Sequence, residues 1–207
     1  MEKLKLRQLI ILFSIVVLCS ILFGFYLKSV KLTDSFDYKL MSFVQSNNIF
    51  TKNTILLNFI KFITSLGNGI GCFILLIPMG IYFNDLKKDF IFLVCSLLIT
   101  YILNELIKHI VLRKRPIEFF IINVTGYSYP SGHSMNISAF YLTFIFLLNR
   151  NKKNRYLDIL IYVLIIMIAL SRVILGVHWP TDVIVGLTLG YLSYRLSREI
   201  YLNFWRD

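Results

Sequence analysis

A short polar stretch between two long apolar runs carries the side chains best suited to chemistry. It reads SRVILGVHWPTD and covers residues 171–182. Asp182 follows His178 by four residues, so its carboxylate can accept a hydrogen bond from the imidazole, fix its tautomer and stabilise its cation. Arg172 begins the stretch, and its guanidinium can bind phosphate oxygens through a fork of N–H donors. The stretch therefore predicts a nucleophilic or basic histidine beside an anion.

A second basic segment, KHIVLRKRP, covers residues 108–116. Lys108 and Arg115 are seven residues apart, which on a continuous helix is two turns and therefore one face. Pro116 biases Arg115 out of the helix, so we expect this guanidinium where the chain leaves the helix. Taken singly, each basic residue can also be interpreted as an interfacial anchor, and Glu105 is placed to pair with Lys108.

A third segment, YPSGHSMN, precedes another apolar run. Pro130 and Gly132 predict a turn immediately before a new helix. Such a turn offers free backbone N–H groups and the positive end of a helix dipole, which together suit a phosphate group. His133 stands at the edge of that cradle. His109, by contrast, is interpreted as a hydrogen-bonded filler beside a membrane helix.

The elements that must position these side chains are membrane helices. Of the 207 residues, 57% are hydrophobic and 16% are charged, and the mean hydropathy is +0.71. The apolar residues fall in blocks, and a membrane-spanning helix needs about 20 of them. A soluble domain of this length would need more polar surface. We therefore expect an integral membrane protein, in which the net charge of +11 partly reflects basic cytoplasmic loops rather than nucleic-acid binding.

The apolar blocks predict an all-α, polytopic membrane protein with six transmembrane helices. Between the first two, helical spacing within residues 31–61 favours an interfacial amphipathic helix over a plain connecting loop, and the residues that show it are Phe36, Leu40, Phe43 and Val44. Residues 1–207 contain no repeat or linker, so a single membrane-embedded domain is predicted. The three cysteines lack disulfide or metal-ligand spacing and are interpreted as packing residues. The predicted spans are residues 8–28, 62–84, 88–108, 134–149, 156–175 and 182–200.

Counting membrane crossings places the polar segments on one face. Residues 108–133 join the third and fourth predicted spans, and residues 171–182 join the fifth and sixth. Burying one basic side chain near a helix centre costs about 2.5–3.5 kcal/mol, and several in one site repel each other unless an anion such as phosphate joins them. The basic N-terminus and the basic loops NDLKKD and NRNKKNR lie on the other face. By the positive-inside rule, both termini are therefore expected in the cytoplasm and the polar site outside it.

With these segments assembled, the sequence resembles the type 2 phosphatidic acid phosphatase superfamily. The family signature has three parts: Lys, six residues and Arg-Pro; Pro-Ser-Gly-His; and Ser-Arg, five residues, His, three residues and Asp. All three parts are complete here and stand in the same order. The six-span layout extends the resemblance to nearly the whole chain. The matching positions are Lys108, Arg115, Pro116, Pro130, Ser131, Gly132, His133, Ser171, Arg172, His178 and Asp182.

The resemblance implies a metal-independent phosphatase without a cofactor that forms a phosphohistidine intermediate. It makes His178 the nucleophile, Asp182 the group that orients it, and His133 the general acid and base. This agrees with the physical argument, because phosphoryl transfer chiefly needs positioning and neutralisation of charge. The groups implied to hold the phosphoryl oxygens are Lys108, Arg115, Arg172, the Ser131 hydroxyl and the Gly132 backbone.

We expect a lipid phosphatase in the cytoplasmic membrane that acts on a phosphate monoester or diphosphate of a membrane lipid. Bacterial family members of this layout resemble phosphatidylglycerophosphate, phosphatidic acid and undecaprenyl diphosphate phosphatases, and all three substrates stay open. Arg113 and Lys114 either favour a diphosphate or anchor the interface. The alternatives are a lipid phosphotransferase, or a non-catalytic lipid-phosphate binding or transport protein, which would need only the basic residues. Besides the lipid and the bilayer, no nucleic acid or obligate protein partner is inferred.

Two further alternatives are disfavoured. Vanadium haloperoxidases share the family signature but resemble soluble helical enzymes, and the hydropathy of this chain argues against that class. A metal site built from the histidines lacks ligand spacing and enough carboxylates. The sequence thus favours phosphate chemistry at a membrane surface.

Overall fold

The computed structural model describes residues 2–31, 35–68, 71–72, 87–149 and 153–204. Over these ranges the regular secondary structure is entirely helical, which confirms the predicted all-α class. A short 3₁₀ turn, Ile117–Phe119, lies in the connection of residues 112–131. The helices are α1 Glu2–Ser29, α2 Phe36–Ser46, α3 Ile49–Lys52, α4 Thr54–Ser65, α5 Lys87–Val111, α6 Gly132–Leu148, α7 Arg155–Ile174 and α8 Pro180–Phe204.

Three helices in the described ranges are long and apolar enough to cross a membrane: α1, α5 and α7. They correspond to the first, third and fifth predicted spans, and the chain is a membrane protein. Helix α6 is apolar but has 17 residues, and α8 has 25 residues with Arg195, Arg198 and Glu199 in its second half. Most of the predicted second span, residues 62–84, lies outside the described residues. The count of six spans therefore stays a prediction.

Helix α6 is central to the packing and contacts α5, α7 and α8. Most of its side chains are buried. Glycines on α8 allow the two backbones to approach closely, since a Cβ on Gly186 would lie 2.6 Å from the Ser131 carbonyl oxygen. The starts of the two helices are also joined directly, because Ser131 N–H donates to the Asp182 carbonyl at 3.0 Å. The second and third signature segments are consequently neighbours.

Helix α1 packs against α5 and α8 while leaving most of its apolar surface exposed. Only 11% of its most apolar window is buried, as expected for a helix that faces lipid. The Tyr129 hydroxyl donates to the Ser20 carbonyl at 2.6 Å, which ties the connection before α6 to α1. The interpretation of the cysteines as packing residues holds for Cys72, which is buried, and is wrong for Cys19 and Cys95, which are exposed.

Residues 36–65 form short helices rather than one long segment. Helix α2 buries Asp37 and Met41 and leaves Phe36 and Phe43 about two-thirds exposed, at 65% and 66%. Phe36 and Phe43 thus point away from the bundle, whereas Asp37, Met41 and part of Val44 point inward. Location of this helix in the membrane interface stays a prediction.

Candidate active site

His178 lies in the connection of residues 175–179 between α7 and α8. Helix α7 ends here because Gly176 adopts a left-handed conformation with φ +73°. A Cβ on Gly176 would overlap the Phe119 carbonyl oxygen, so the turn packs against that backbone too closely for other residues. The N–H groups of Val177 and His178 turn back to the Arg172 carbonyl at 3.1 and 3.4 Å. These contacts bury His178, which is 2% exposed.

Asp182 occupies the first turn of α8, and Pro180 is the first residue of that helix, as predicted. Asp182 Oδ2 accepts a hydrogen bond from Trp179 N–H at 3.0 Å, which is one half of a capping box. The same oxygen accepts a hydrogen bond from the Ser128 hydroxyl. Helix capping therefore fixes the position of this carboxylate, which is fully buried.

The expected hydrogen bond between His178 and Asp182 is wrong in detail. His178 Nδ1 lies 3.7 Å from Asp182 Oδ2, which is beyond hydrogen-bond distance, because Trp179 and Ser128 already occupy that oxygen. The carboxylate is nevertheless the electrostatic neighbour of Nδ1, and it favours the tautomer that carries the proton there. The lone pair then lies on Nε2, on the side of the ring that faces Arg115.

Arg113 binds both Asp182 and a carboxylate from α2. Its Nη1 lies 2.6 Å from Asp182 Oδ1, and its Nη2 lies 2.6 Å from Asp37 Oδ2. Burial opposes the charge on Arg113, but the two carboxylates outweigh burial and hold its pKa above the usual value. Arg113 is 4% exposed, so both earlier interpretations, an interface anchor or a ligand for a diphosphate, are wrong for it. Lys114 is exposed, and its carbonyl accepts a hydrogen bond from Trp179 Nε1 at 3.0 Å.

Arg115 contacts His178 directly. Its Nη1 lies 3.0 Å from His178 Nε2 and donates to the Val177 carbonyl at 2.8 Å, while its Nε donates to the Gly126 carbonyl at 3.0 Å. The predicted helical relation to Lys108 is wrong, because α5 ends at Val111 and Leu112 takes φ 57°. The connection after α5, rather than a continued helix, therefore brings Arg115 to His178.

The charges of Arg172 and Lys108 also act on this histidine. Arg172 is 3% exposed, its Nη1 donates to Thr64 Oγ1 at 2.7 Å, and its buried Nε has no partner among the described residues. Lys108 Nζ pairs with Glu105 at 2.7 Å, as the sequence had allowed. Burial and the charges of Arg115, Arg172 and Lys108 together hold the pKa of His178 well below its usual value. This lowered pKa favours the neutral imidazole.

The third segment forms the predicted turn at the start of α6, which begins at Gly132. Ser131 is the N-cap residue, and its hydroxyl accepts hydrogen bonds from Ser134 N–H at 3.4 Å and from Ser134 Oγ at 3.0 Å. Asn104 supports the turn by donating to the Pro130 carbonyl at 3.2 Å. A Cβ on Gly132 would lie 2.8 Å from Asn104 Oδ1 and 3.4 Å from Lys108 Nζ, so the ammonium group lies beside the cradle.

The two remaining histidines differ in their surroundings. His133 is half-buried in the first turn of α6, with its Cδ2 3.3 Å from the position a Cβ on Gly67 would take. His109 is exposed and donates from Nδ1 to the Glu105 carbonyl at 2.8 Å, which agrees with a filler role. Within the described ranges, no group of three or more His, Cys, Asp or Glu side chains is arranged to hold a metal ion.

Sequence reasoning missed four residues that build this site: Asp37, Thr64, Asn104 and Ser128. Each of the first three is a single polar residue in an otherwise apolar or connecting segment, without a motif around it. Asp37 lies 76 residues from Arg113 along the chain, and Thr64 lies 108 residues from Arg172. A polar residue inside an apolar helix, such as Asn104 in α5, is the one signal that could have drawn attention, because burial of an unpaired amide is costly.

Comparison with known proteins gives a consistent result. A family described as the PAP2 superfamily matches residues 89–206. Phosphatidylglycerophosphatase B of Bacillus subtilis is 30% identical over 130 residues, which cover 60% of this chain and 64% of that protein, less than two thirds of its length. Undecaprenyl-diphosphatase of Sulfolobus acidocaldarius is 30% identical over 171 residues, which cover 80% of this chain and 78% of that protein.

Solved structures share the fold. The crystal structure of a transmembrane PAP2 type phosphatidylglycerolphosphate phosphatase from Bacillus subtilis aligns with a TM-score of 0.73 and 23% identity, covering 98% of both chains. The crystal structure of Aquifex aeolicus LpxE aligns with a TM-score of 0.66 and 19% identity, covering 82% of this chain and 98% of that one. At these identities the likeness establishes the helical fold.

Proposed function

The chain belongs to the PAP2 superfamily, and from this premise we propose that it is a membrane lipid phosphatase. The proposed substrate is a phosphate monoester or diphosphate of a membrane lipid, and the proposed reaction is hydrolysis without a metal ion. The names of the relatives favour phosphatidylglycerophosphate or undecaprenyl diphosphate as the first substrates to test.

The observation that carries this proposal is the uneven charge around His178. Arg113 is neutralised by Asp37 and Asp182, and Lys108 is paired with Glu105. The remaining two cations, Arg115 and Arg172, bond only to carbonyl, hydroxyl and imidazole groups among the described residues. Buried guanidinium groups without a counter-charge are costly, and a phosphate group would supply that charge through paired N–H···O bonds.

The proposed reaction starts at His178 Nε2. Because the proton is on Nδ1, the Nε2 lone pair can attack phosphorus once Arg115 turns from the imidazole to a phosphoryl oxygen. The N–P bond forms while the P–O bond to the lipid breaks, and His133 donates its proton to the leaving oxygen. His133 then takes a proton from water, whose oxygen attacks phosphorus while the N–P bond breaks, so that inorganic phosphate leaves and the Nε2 lone pair of His178 is restored. Lys108, Arg115, Arg172, Ser131 and the Gly132 N–H are proposed to hold the phosphoryl oxygens.

Phosphate release by the purified full chain tests the activity. The protein in mixed micelles with a chelator should release phosphate from phosphatidylglycerophosphate, phosphatidic acid or undecaprenyl diphosphate, offered separately and then in competition. His178→Ala should lower kcat by roughly a thousandfold or more, because the nucleophile is lost. His109→Ala is the matched control, since His109 is an exposed histidine on α5, and it should keep the activity of the parent protein.

The outcomes separate the alternatives. Equal activity of His178→Ala and the parent would refute the proposed mechanism. Retained binding of lipid phosphate without any release of phosphate would favour the non-catalytic binding protein. Transfer of the phosphoryl group to an added alcohol, with little free phosphate, would favour the phosphotransferase.

We also propose that the site faces the outside of the cytoplasmic membrane. Thr125 lies in the same connection as Arg115 and is exposed, so it is a suitable labelling position. In a chain whose cysteines are replaced, Thr125→Cys should react with a membrane-impermeant thiol reagent in intact cells. Labelling only after the membrane is opened would reverse the proposed orientation.

A further inference from the structure

Helix α2 lies outside the signature segments, yet it docks on both helix ends that flank His178. Gln45 Nε2 donates to the Val173 and Ile174 carbonyls at 3.0 and 3.1 Å, and Asn48 Nδ2 donates to the Ile174 carbonyl at 3.0 Å. These carbonyls are at the C-terminal end of α7, where intrahelical partners run out. One end of α2 therefore caps the helix that leads into the His178 turn.

The other end of α2 caps the helix that leaves the turn. Asp37 Oδ1 accepts from Thr181 N–H at 2.9 Å, and Asp37 Oδ2 accepts from Thr181 Oγ1 at 2.5 Å. Asp37 Oδ2 also pairs with Arg113, which in turn holds Asp182. Asp37 is 1% exposed, so its charge is unscreened by water. A continuous line of contacts thus runs from Asp37 through Arg113 and Asp182 to His178.

The charges along this line set the electrostatic field at the imidazole of His178. Asp182 and Arg113 alone would form a neutral pair beside the imidazole, whereas Asp37 gives the group of three a net charge of one negative. Nε2 attack on phosphorus leaves the ring cationic, with the proton still on Nδ1. A net negative group on the Nδ1 side stabilises that cation against the charge of Arg115, which lies at Nε2.

We infer that Asp37 is a positioning residue for the proposed phosphatase reaction. It holds Arg113 and the start of α8, so that Asp182 keeps both its place and its negative field beside His178. The inference rests on the proposed function, and it adds a residue from α2 to a site otherwise built from the signature segments.

Asp37→Asn tests the charge while keeping the size of the side chain and an acceptor for Thr181 N–H. Removal of one buried charge that reaches His178 only through Arg113 and Asp182 should slow the reaction by roughly tenfold. In mixed micelles with saturating lipid substrate, we expect this loss in kcat and in the single-turnover rate of phosphohistidine formation. KM should stay within about twofold, because Asp37 does not contact the phosphate cradle.

Gln45→Ala is the matched control on the same helix. It removes two hydrogen bonds to α7 but no charge, so it should lower the thermal unfolding temperature and leave kcat within about twofold. If Asp37→Asn cannot be purified in folded form, Arg113→Lys provides a second test. A single ammonium group cannot bridge two carboxylates as the guanidinium does, and kcat should again fall by roughly tenfold.

The possible results distinguish the inference about Asp37 from the proposed function. Unchanged kcat in Asp37→Asn or in Arg113→Lys, with an active parent protein, would overturn the inference and leave the proposed function intact. Equal losses of kcat in Asp37→Asn and Gln45→Ala would show a purely structural role and would also overturn it. A parent protein that releases no phosphate from any of the lipids would overturn the proposed function, and this inference with it.

Discussion

Gly176→Ala should destabilise the turn that carries His178 by more than a change in the backbone entropy of the unfolded chain would explain. Gly176 has φ +73°, and a Cβ there would overlap the Phe119 carbonyl oxygen. Two separate costs follow: the left-handed conformation of a residue with a Cβ, and the displacement of a backbone carbonyl that cannot rotate away as a side chain would.

The chain contains a glycine that carries only the first of these costs. Gly126 has φ +79°, and a Cβ there would have nothing within 4 Å. For both glycines the left-handed conformation costs roughly 1–2 kcal/mol in an alanine variant. Forced overpacking adds about 1–3 kcal/mol for Gly176→Ala alone. Since about 1 kcal/mol corresponds to roughly 2–4 °C for a chain of this length, Gly176→Ala should unfold several degrees below Gly126→Ala.

Thermal unfolding of the two variants and the parent in one detergent measures this difference, and phosphate release measures its effect on the site. Displacement of His178 by about 1 Å can cost roughly a hundredfold in rate, so Gly176→Ala should be strongly impaired. Gly126→Ala keeps the carbonyl that accepts from Arg115 and should be impaired far less. Equal unfolding temperatures and equal activities of the two variants would show that the close contact with Phe119 is not what shapes the turn.

Three further predictions concern other parts of the site. Because the pKa of His178 is lowered in the native protein, the unfolded chain takes up a proton near pH 6.5 that the native protein does not. The free energy of unfolding should therefore fall as the pH drops from about 7.5 to about 5. In thermal unfolding scans, His178→Gln should make the unfolding temperature depend less on pH. Tyr129→Phe removes the hydrogen bond to the Ser20 carbonyl and should cost about 1–3 kcal/mol of unfolding free energy in denaturant titrations, since it leaves a buried acceptor unpaired. Gly132→Ala should lower phosphate release, because the new Cβ crowds Asn104. Adding Asn104→Ala to that variant should recover part of the lost activity. If no activity returns, crowding of Asn104 is not the cause of the loss.

Much of the helical layout was predictable because apolar blocks of membrane length have few alternatives to helix. The boundaries of α7 and α8 also follow local rules: Gly176 ends one helix, and Pro180 starts the next. The end of α5 was predicted less well, since Leu112 adopts a positive φ that no sequence pattern announces. Consequently the relation between Lys108 and Arg115 was derived from a helix that does not continue between them.

In the site, too, contacts between residues close in sequence could be predicted, and contacts between distant residues could not. Spacing within residues 171–182 places His178 and Asp182 together because a capped helix start fixes the carboxylate, and the connection between α5 and α6 brings Arg115 to them. The partner of Arg113 could not be predicted in this way. A guanidinium two residues before Arg115 looks like one more phosphate ligand until Asp37, from a helix without a motif, is found beside it.

The pairing of Arg113 with carboxylates lowers the number of cations that could contact a substrate, and this changes the ligand expected at the site. With Arg113 free, four basic side chains would face the substrate and a diphosphate would be the natural ligand. With Arg113 bound to Asp37 and Asp182, it belongs to the negative side of His178 instead. The imidazole then lies between a net negative group at Nδ1 and the Arg115 guanidinium at Nε2. That polarity suits the role proposed for His178, in which it attacks an anion and carries a positive charge immediately afterwards.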